Sequence, residues 1–305
     1  MQSCLPMKSL LRRPQLRAAF VPGDPRGGYY NDLTHVSQAI DGPERGLEQM
    51  RALTADRRTA NPIVIAQLGL GAWQRRAEDA RWLAVVREGV TWLSREREES
   101  GVIRYEFALT HTFPLEAGWT SAMAQGEAAS LFVRAADALA APELLEEARR
   151  AVAPLLDPAS PLVAETDEGP VLQEYPTDPP SHVLNGWIFA LWGLYDVARS
   201  SDHEQSAAAF ERGADAVAAR LPRYSTGFGW SRYDLYPHAI RHVASPFYHR
   251  LHIEQLRALA ELAPRPAFLA HADAWEAGLA NPAVRTMALT RKVAFRVINP
   301  RRKSH

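Results

Sequence analysis

The sequence predicts a mainly α-helical protein, an (α/α) toroid or incomplete (α/α) barrel with short β-hairpin excursions in its loops. Three observations carry this. From Asn61 onward, segments of helical period follow one another and pair up. The pairs are joined by aromatic, Gly/Pro-rich, partly extended loops. Several helices are apolar with polar residues at their entries, as inner helices of a toroid would be when loops gather at one end.

Residues 1–60 read as an irregular arm with one or two short helices; PGDPRGGYYNDL (22–33) is turn-rich, and Tyr29 and Tyr30 look exposed. Asn61-Pro62 starts a helix with Pro in its first turn. Residues 78–97 form the next, with Leu83, Val86, Val90 and Leu93 at helical spacing. VIRYEFALTHTF (102–113) alternates apolar and polar residues and predicts a hairpin or extended excursion. Gly118-Trp119-Thr120-Ser121 opens a long helix whose Ala122, Ala124, Gly126 and Ala128 permit close packing. A shorter helix covers 142–153. A strand is expected from Pro170 to Glu174, and Glu168-Gly169-Pro170 reads as a turn. Helices come next at 182–199 and 204–221. Residues 221–250 then run for thirty positions with little helical period; a loop of that length is functional or disordered, and its four Tyr, one Trp and two Phe oppose disorder. Helices resume at 249–262 and 267–279. The domain is thus expected over 61–281, with 282–305 as a basic tail frayed at Arg301, Arg302 and Lys303.

Lys+Arg and Asp+Glu are both 35 among 305 residues, so the net charge is zero, which argues against nucleic acid as a partner. One cysteine, Cys4, excludes an internal disulfide framework and a Cys-based zinc site, and fits a reducing compartment. No run is long and apolar enough for a transmembrane helix, and Lys8, Arg12, Arg13 and Arg17 are followed by no signal-peptide core. The expected location is cytoplasmic or peripheral to the inner membrane face.

The chemistry-bearing stretch is EYPTDPPSHVLNG (174–186). Pro176, Pro179 and Pro180 keep it extended, Ser181 can cap the helix after it, and the acid Glu174 and phenol Tyr175 sit at the mouth of that apolar helix. By itself this is as well read as a proline-rich loop with an incidental acid.

GWTSAMAQGEAASLFVRA (118–135), EYPTDPPSHVLNGWIFALWGLYD (174–196) and LPRYSTGFGWSRYDL…YHRLHIEQL (221–256) together resemble the C-terminal domain of D-glucuronyl C5-epimerases, which convert glucuronate to iduronate in heparan-type chains. NPIVIAQLGLGAW (61–73) also looks like a family segment, so the resemblance covers roughly 60–262. It implies an (α/α) barrel. The β-rich domains of larger animal members are expected to be missing or minimal here, with any groove wall or calcium site they supply. It implies site roles for Glu174, Tyr175, Tyr233 and Tyr248. One departure stands out: the family's YDLRH has an arginine suited to a carboxylate, whereas YDLYPH places Tyr236 there. Arg232, Arg241 and Arg250 are the nearby replacements.

C5 epimerisation removes the proton alpha to a carboxylate and returns one on the other face. The enediolate needs a cation or strong donors on the carboxyl oxygens, and two groups on opposite ring faces as base and acid. The expected assignment is Tyr175 and Tyr248 on opposite faces, Tyr233 assisting, and Glu174 as base or as the group orienting Tyr175. Gln67, Gln125 and Asn185 would hold sugar hydroxyls, with His249 beside Arg250 at the same wall. No cofactor is expected. His238, His242, His249 and His252 could suggest a metal, and His249 and His252, three apart, can share one helix face, but no carboxylate spacing matches and none is expected. The partner is a uronate-containing glycan, with zero net charge favouring a short or lightly charged one; a homodimer stays open. A polysaccharide lyase or glycoside hydrolase on the same scaffold, or a non-catalytic glycan-binding protein, are the other readings.

Overall fold

The computed structural model describes residues 18–299 apart from 35, 37–39 and 111. Cys4, the basic residues before position 18, and Arg301, Arg302 and Lys303 lie outside the described residues.

Helix α1 (Gly42–Thr54) precedes α2 (Pro62–Arg75), where Asn61 Oδ1 accepts the Val64 N–H at 3.3 Å. Helix α3 is Trp82–Glu96. Strand β1 (Arg104–Tyr105) pairs antiparallel with β2 (Trp119–Thr120), Arg104 opposite Thr120. Ser121 then caps α4 (Ala122–Ala138) from a β conformation, so Trp119 and Thr120, expected in the helix opening, are strand instead. After α5 (Leu144–Leu156), β3 (Val163–Ala164) pairs antiparallel with β4 (Val171–Leu172). Helices α6 (Leu184–Ser201), α7 (Glu204–Tyr224), α8 (Pro246–Leu262), α9 (Pro266–Ala280) and α10 (Pro282–Ile298) complete the order.

Helices α2, α4, α6 and α8 pack in series as an inner row, with α3, α5, α7 and α9 outside. Helix α6 is buried from Leu184 to Ala198 and α4 from Ala122 to Ala136, as an inner helix must be. The α4–α6 crossing is very close: a Cβ on Gly193 would lie 2.4 Å from the Gly126 Cα. This is a mainly helical, incomplete toroid, since the ends of the inner row, α2 and α8, do not pack comparably among the described residues. No described helix is long and apolar enough to cross a membrane.

Two expectations are overturned. Tyr29 and Tyr30 are buried, not exposed: they pack on Trp192, and Tyr30 Oη donates to Asp196. Asp196 also pairs at 2.5 Å with Arg134, both wholly buried, and Arg134 donates to the Gly28 carbonyl at 2.8 Å. The arm is therefore bolted to α4 and α6 through a charged centre. The stretch expected as a basic tail from 282 is helical as far as Ile298: it is α10, started by Asn281 and Pro282 and anchored by Ala288 and Phe295.

Candidate active site

The two hairpins and the 225–245 loop meet at the N-terminal ends of α4 and α6. Strand β4 delivers Gln173, Glu174 and Tyr175. The Gln173 carbonyl accepts from the Ala122 N–H at 2.9 Å, tying the segment to the start of α4. Its side-chain Oε1 accepts from the Ser181 N–H at 3.1 Å and the His182 N–H at 3.3 Å. Ser181 Oγ donates to the Tyr175 carbonyl at 2.7 Å. Ser181 thus pins the proline loop across its base; α6 begins at Leu184, with no side-chain cap.

Glu174 is 4 % exposed and rests on Gly186 in the first turn of α6. Asn185 Nδ2 donates to Glu174 Oε2 at 3.4 Å. Burial raises the Glu174 carboxyl to about 7, against a lowering hydrogen bond from Tyr175 and with Asp234 adding to the rise. The Tyr175 ring stacks on Phe113 with centroids 4.9 Å apart. From the other side, the Tyr233 carbonyl accepts from the Leu184 N–H at 3.2 Å, and the Tyr233 ring meets Tyr248 edge-on at 4.8 Å. Tyr175, Tyr233, Tyr236 and Tyr248 share one aromatic cluster with Phe113. Burial, then the Glu174 charge, pushes the Tyr175 and Tyr233 phenols well up, so both remain neutral donors. The site therefore joins one carboxyl poised near neutrality to phenols that keep their protons.

Glu174, Tyr175, Tyr233 and Tyr248 converge, and Asn185 touches the carboxyl. Two other expected site residues do not belong. Gln125 is fully buried and spent on backbone: it accepts from the Ile103 N–H at 2.8 Å and donates to the carbonyls of Gly101 (2.8 Å) and Ala151 (2.6 Å). His249 is also fully buried, stacked on Trp230 at 3.7 Å, with Nδ1 at Ser231 and Nε2 at the Trp275 carbonyl; it braces the loop and cannot reach a sugar. Gln67 donates to Glu127 at 3.0 Å, inside the ring. Arg241 is exposed, Arg250 faces Glu254 at 3.7 Å, and Arg232 is half-buried in the field of the Asp234 charge.

A second polar group gathers His238 and His242, two of the four histidines the sequence offered for a metal, around Asp234, which was not expected there. Asp234, His238 and His242 place ligand-type atoms within 4.8 Å of one another. His242 Nδ1 lies 2.5 Å from Asp234, and Lys292 of α10 reaches His242 Nε2 at 2.7 Å. Burial lowers His242 to about 4, so the ring is neutral. With an ammonium donating to Nε2, the ring proton sits on Nδ1 and points at Asp234. As arranged here, Lys292, His242 and Asp234 form a hydrogen-bonded relay. His249 and His252, the other two histidines the sequence offered for a metal, share Ser231 Oγ at 2.8 and 2.9 Å. Only the i, i+4 spacing of Asp234, His238 and His242 hinted at the relay; Lys292 is fifty positions away.

The family model for the D-glucuronyl C5-epimerase C-terminus matches residues 97–277. The chain belongs to the D-glucuronyl C5-epimerase C-terminus family. The D-glucuronyl C5-epimerase of Caenorhabditis elegans is 31% identical over 183 residues, covering 53% of this chain and 29% of that relative. This chain thus spans less than a third of that protein's length. Among solved structures, the unsaturated glucuronyl hydrolase of Bacillus sp. GL1 matches with a TM-score of 0.50 at 16% identity, over 88% of this chain and 74% of the hydrolase. A structure of UGL with dGlcA-Glc-Rha-Glc matches equally, at a TM-score of 0.50 and 15% identity, over the same shares. At such identities the likeness concerns the fold alone. The epimerase-family match covers every element of the cluster from Phe113 to Tyr248, while α10 lies outside it.

Proposed function

We propose that this epimerase-family chain inverts C5 of D-glucuronate residues within a polysaccharide or oligosaccharide, giving L-iduronate. The observation that carries the reading is the meeting of Glu174, at about 7, with Tyr175, Tyr233 and Tyr248 in one cluster. A carboxyl titrating near neutrality is available as a base at working pH, which a surface glutamate would also be, but buried beside neutral phenols it is far less solvated and better able to take a proton from carbon. Glu174 accepts the C5 proton and the C5–H pair becomes the enediolate. Tyr248 Oη delivers its proton to C5 from the opposite face; its phenolate is then reprotonated from solvent while Glu174 releases the abstracted proton to solvent, which restores both groups. Tyr175 and Tyr233 donate to the ring substituents and developing charge, and Asn185 holds the Glu174 carboxyl in place.

Incubation with a glucuronate-containing glycan in D₂O tests this. The expected result is deuterium at C5 together with iduronate. Appearance of an unsaturated uronate would give the chemistry to a lyase. Binding without exchange over a range of glycans would make the chain a glycan-binding protein.

A further inference from the structure

An enediolate formed beside a carboxylate carries two negative charges, so the reaction needs a cation at the carboxyl oxygens. The loop arginines are poorly placed for it. Arg241 is exposed, Arg250 faces Glu254, and Arg232 is half-buried in the field of the Asp234 charge. A cation beside the tyrosines comes instead from α10. Lys292 Nζ lies 5.7 Å from the centroid of the Tyr233 ring, which itself meets Tyr248 at 4.8 Å.

The setting of Lys292 is built. Phe295, one turn on, stacks flat on His242 at 3.8 Å, and Ala288, one turn back, packs with Trp230 and Val243. These two contacts fix the helix register that turns Lys292 inward. Its Nζ donates to His242 Nε2 at 2.7 Å and to the Val243 carbonyl at 3.0 Å. Asp234 is held on the far nitrogen of His242 and on His238. The relay therefore orients a positive charge beside the aromatic cluster.

We propose that Lys292 is the substrate-carboxylate contact of this site, a charge-assisted hydrogen bond to the uronate carboxyl of a sugar held at Tyr233 and Tyr248. This rests on the epimerase reading above for its catalytic meaning, but the binding it describes does not depend on turnover. The ligand class is a glycan bearing an ionised uronate.

The test measures calorimetric binding of a glucuronate-containing oligosaccharide and of its carboxyl-reduced counterpart to the full chain and to K292M and K292R. The wild-type protein should prefer the uronate by about 10- to 100-fold, the range for a hydrogen bond to a charged group. K292M should erase the preference and K292R should keep most of it. Retention of the preference in K292M overturns the proposal. Should K292M fail to fold, reductive methylation of the wild-type protein decides: the uronate glycan should shield Lys292 and the reduced glycan should not, and equal labelling overturns the proposal. Wild-type preference without C5 exchange would remove the epimerase reading and leave the clamp standing. Exchange with an unchanged preference in K292M would remove the clamp alone.

Discussion

The Glu174 side chain lies directly over the bare Cα of Gly186: a Cβ there would come within 2.3 Å of Glu174 Oε2 and 2.5 Å of its Cβ. The glycine in the first turn of α6 is what lets a carboxyl sit buried against the helix. Gly186→Ala should therefore displace Glu174 while leaving the toroid folded. C5 exchange is expected to fall by about 100-fold, the scale of an ångström-sized misplacement of a catalytic group. Circular dichroism and exchange rates measured side by side check it; a fully active alanine variant would remove Glu174 from the chemistry.

The Glu174 carboxyl, raised by burial to about 7 from an ordinary 4.5, gives a signed pH dependence. In the proposed reaction its ionised form is the base, so exchange should rise with pH and level off above about 7. Stability runs the other way. Between 4.5 and 7 the unfolded chain releases this proton and the folded chain keeps it, so stability falls as pH rises through that window. The drop attributable to Glu174 is roughly 3 kcal/mol at most. Denaturant titrations of wild type and Glu174→Gln across the window should show the slope only in the former.

Tyr248→Phe removes one hydroxyl from a ring held by Tyr233 and Phe247. The variant should keep its melting temperature within a few degrees and lose C5 exchange by at least about 100-fold, the lower reach of general acid–base catalysis. Mass-spectrometric deuterium counting gives the ratio.

Gln125 separates architecture from chemistry. Its amide closes three backbone bonds among the first hairpin, α4 and α5. Gln125→Ala should cost about 2–4 kcal/mol, as buried backbone groups lose their partners, with KM for the glycan unchanged. A raised KM at intact stability would return Gln125 to the sugar site.

Arg134→Met should destabilise by about 3–5 kcal/mol, because it strands the buried Asp196 charge. Urea unfolding reads this directly. Arg134→Met together with Asp196→Leu should recover part of the loss.

Much of the site could be read in the sequence because its parts are local. Glu174, Tyr175 and Asn185 lie within one stretch, and the helix starts at Asn61-Pro62 and Ser121 carry their own capping signals. The hidden features depend on distant partners. Tyr29 and Tyr30 looked like turn residues because Trp192 and Arg134, which bury them, are more than a hundred positions away. Gln125 stood in a recognised motif beside a helix entry, and nothing local shows that its amide turns to Gly101 and Ala151 instead of solvent. The residues after 281 were judged by their charge, Arg and Lys with no acid, although Asn281-Pro282 repeats the start signal of Asn61-Pro62.

Helix α10 covers Trp230 and Val243 with Ala288 and sets Phe295 flat on His242 and edge-on to His238. It begins five residues beyond the matched family segment, which ends at 277. A chain trimmed to that segment would present an indole and two imidazole faces to water and would be prone to aggregate. For recombinant work, the matched segment and the packed unit are different lengths of the same chain.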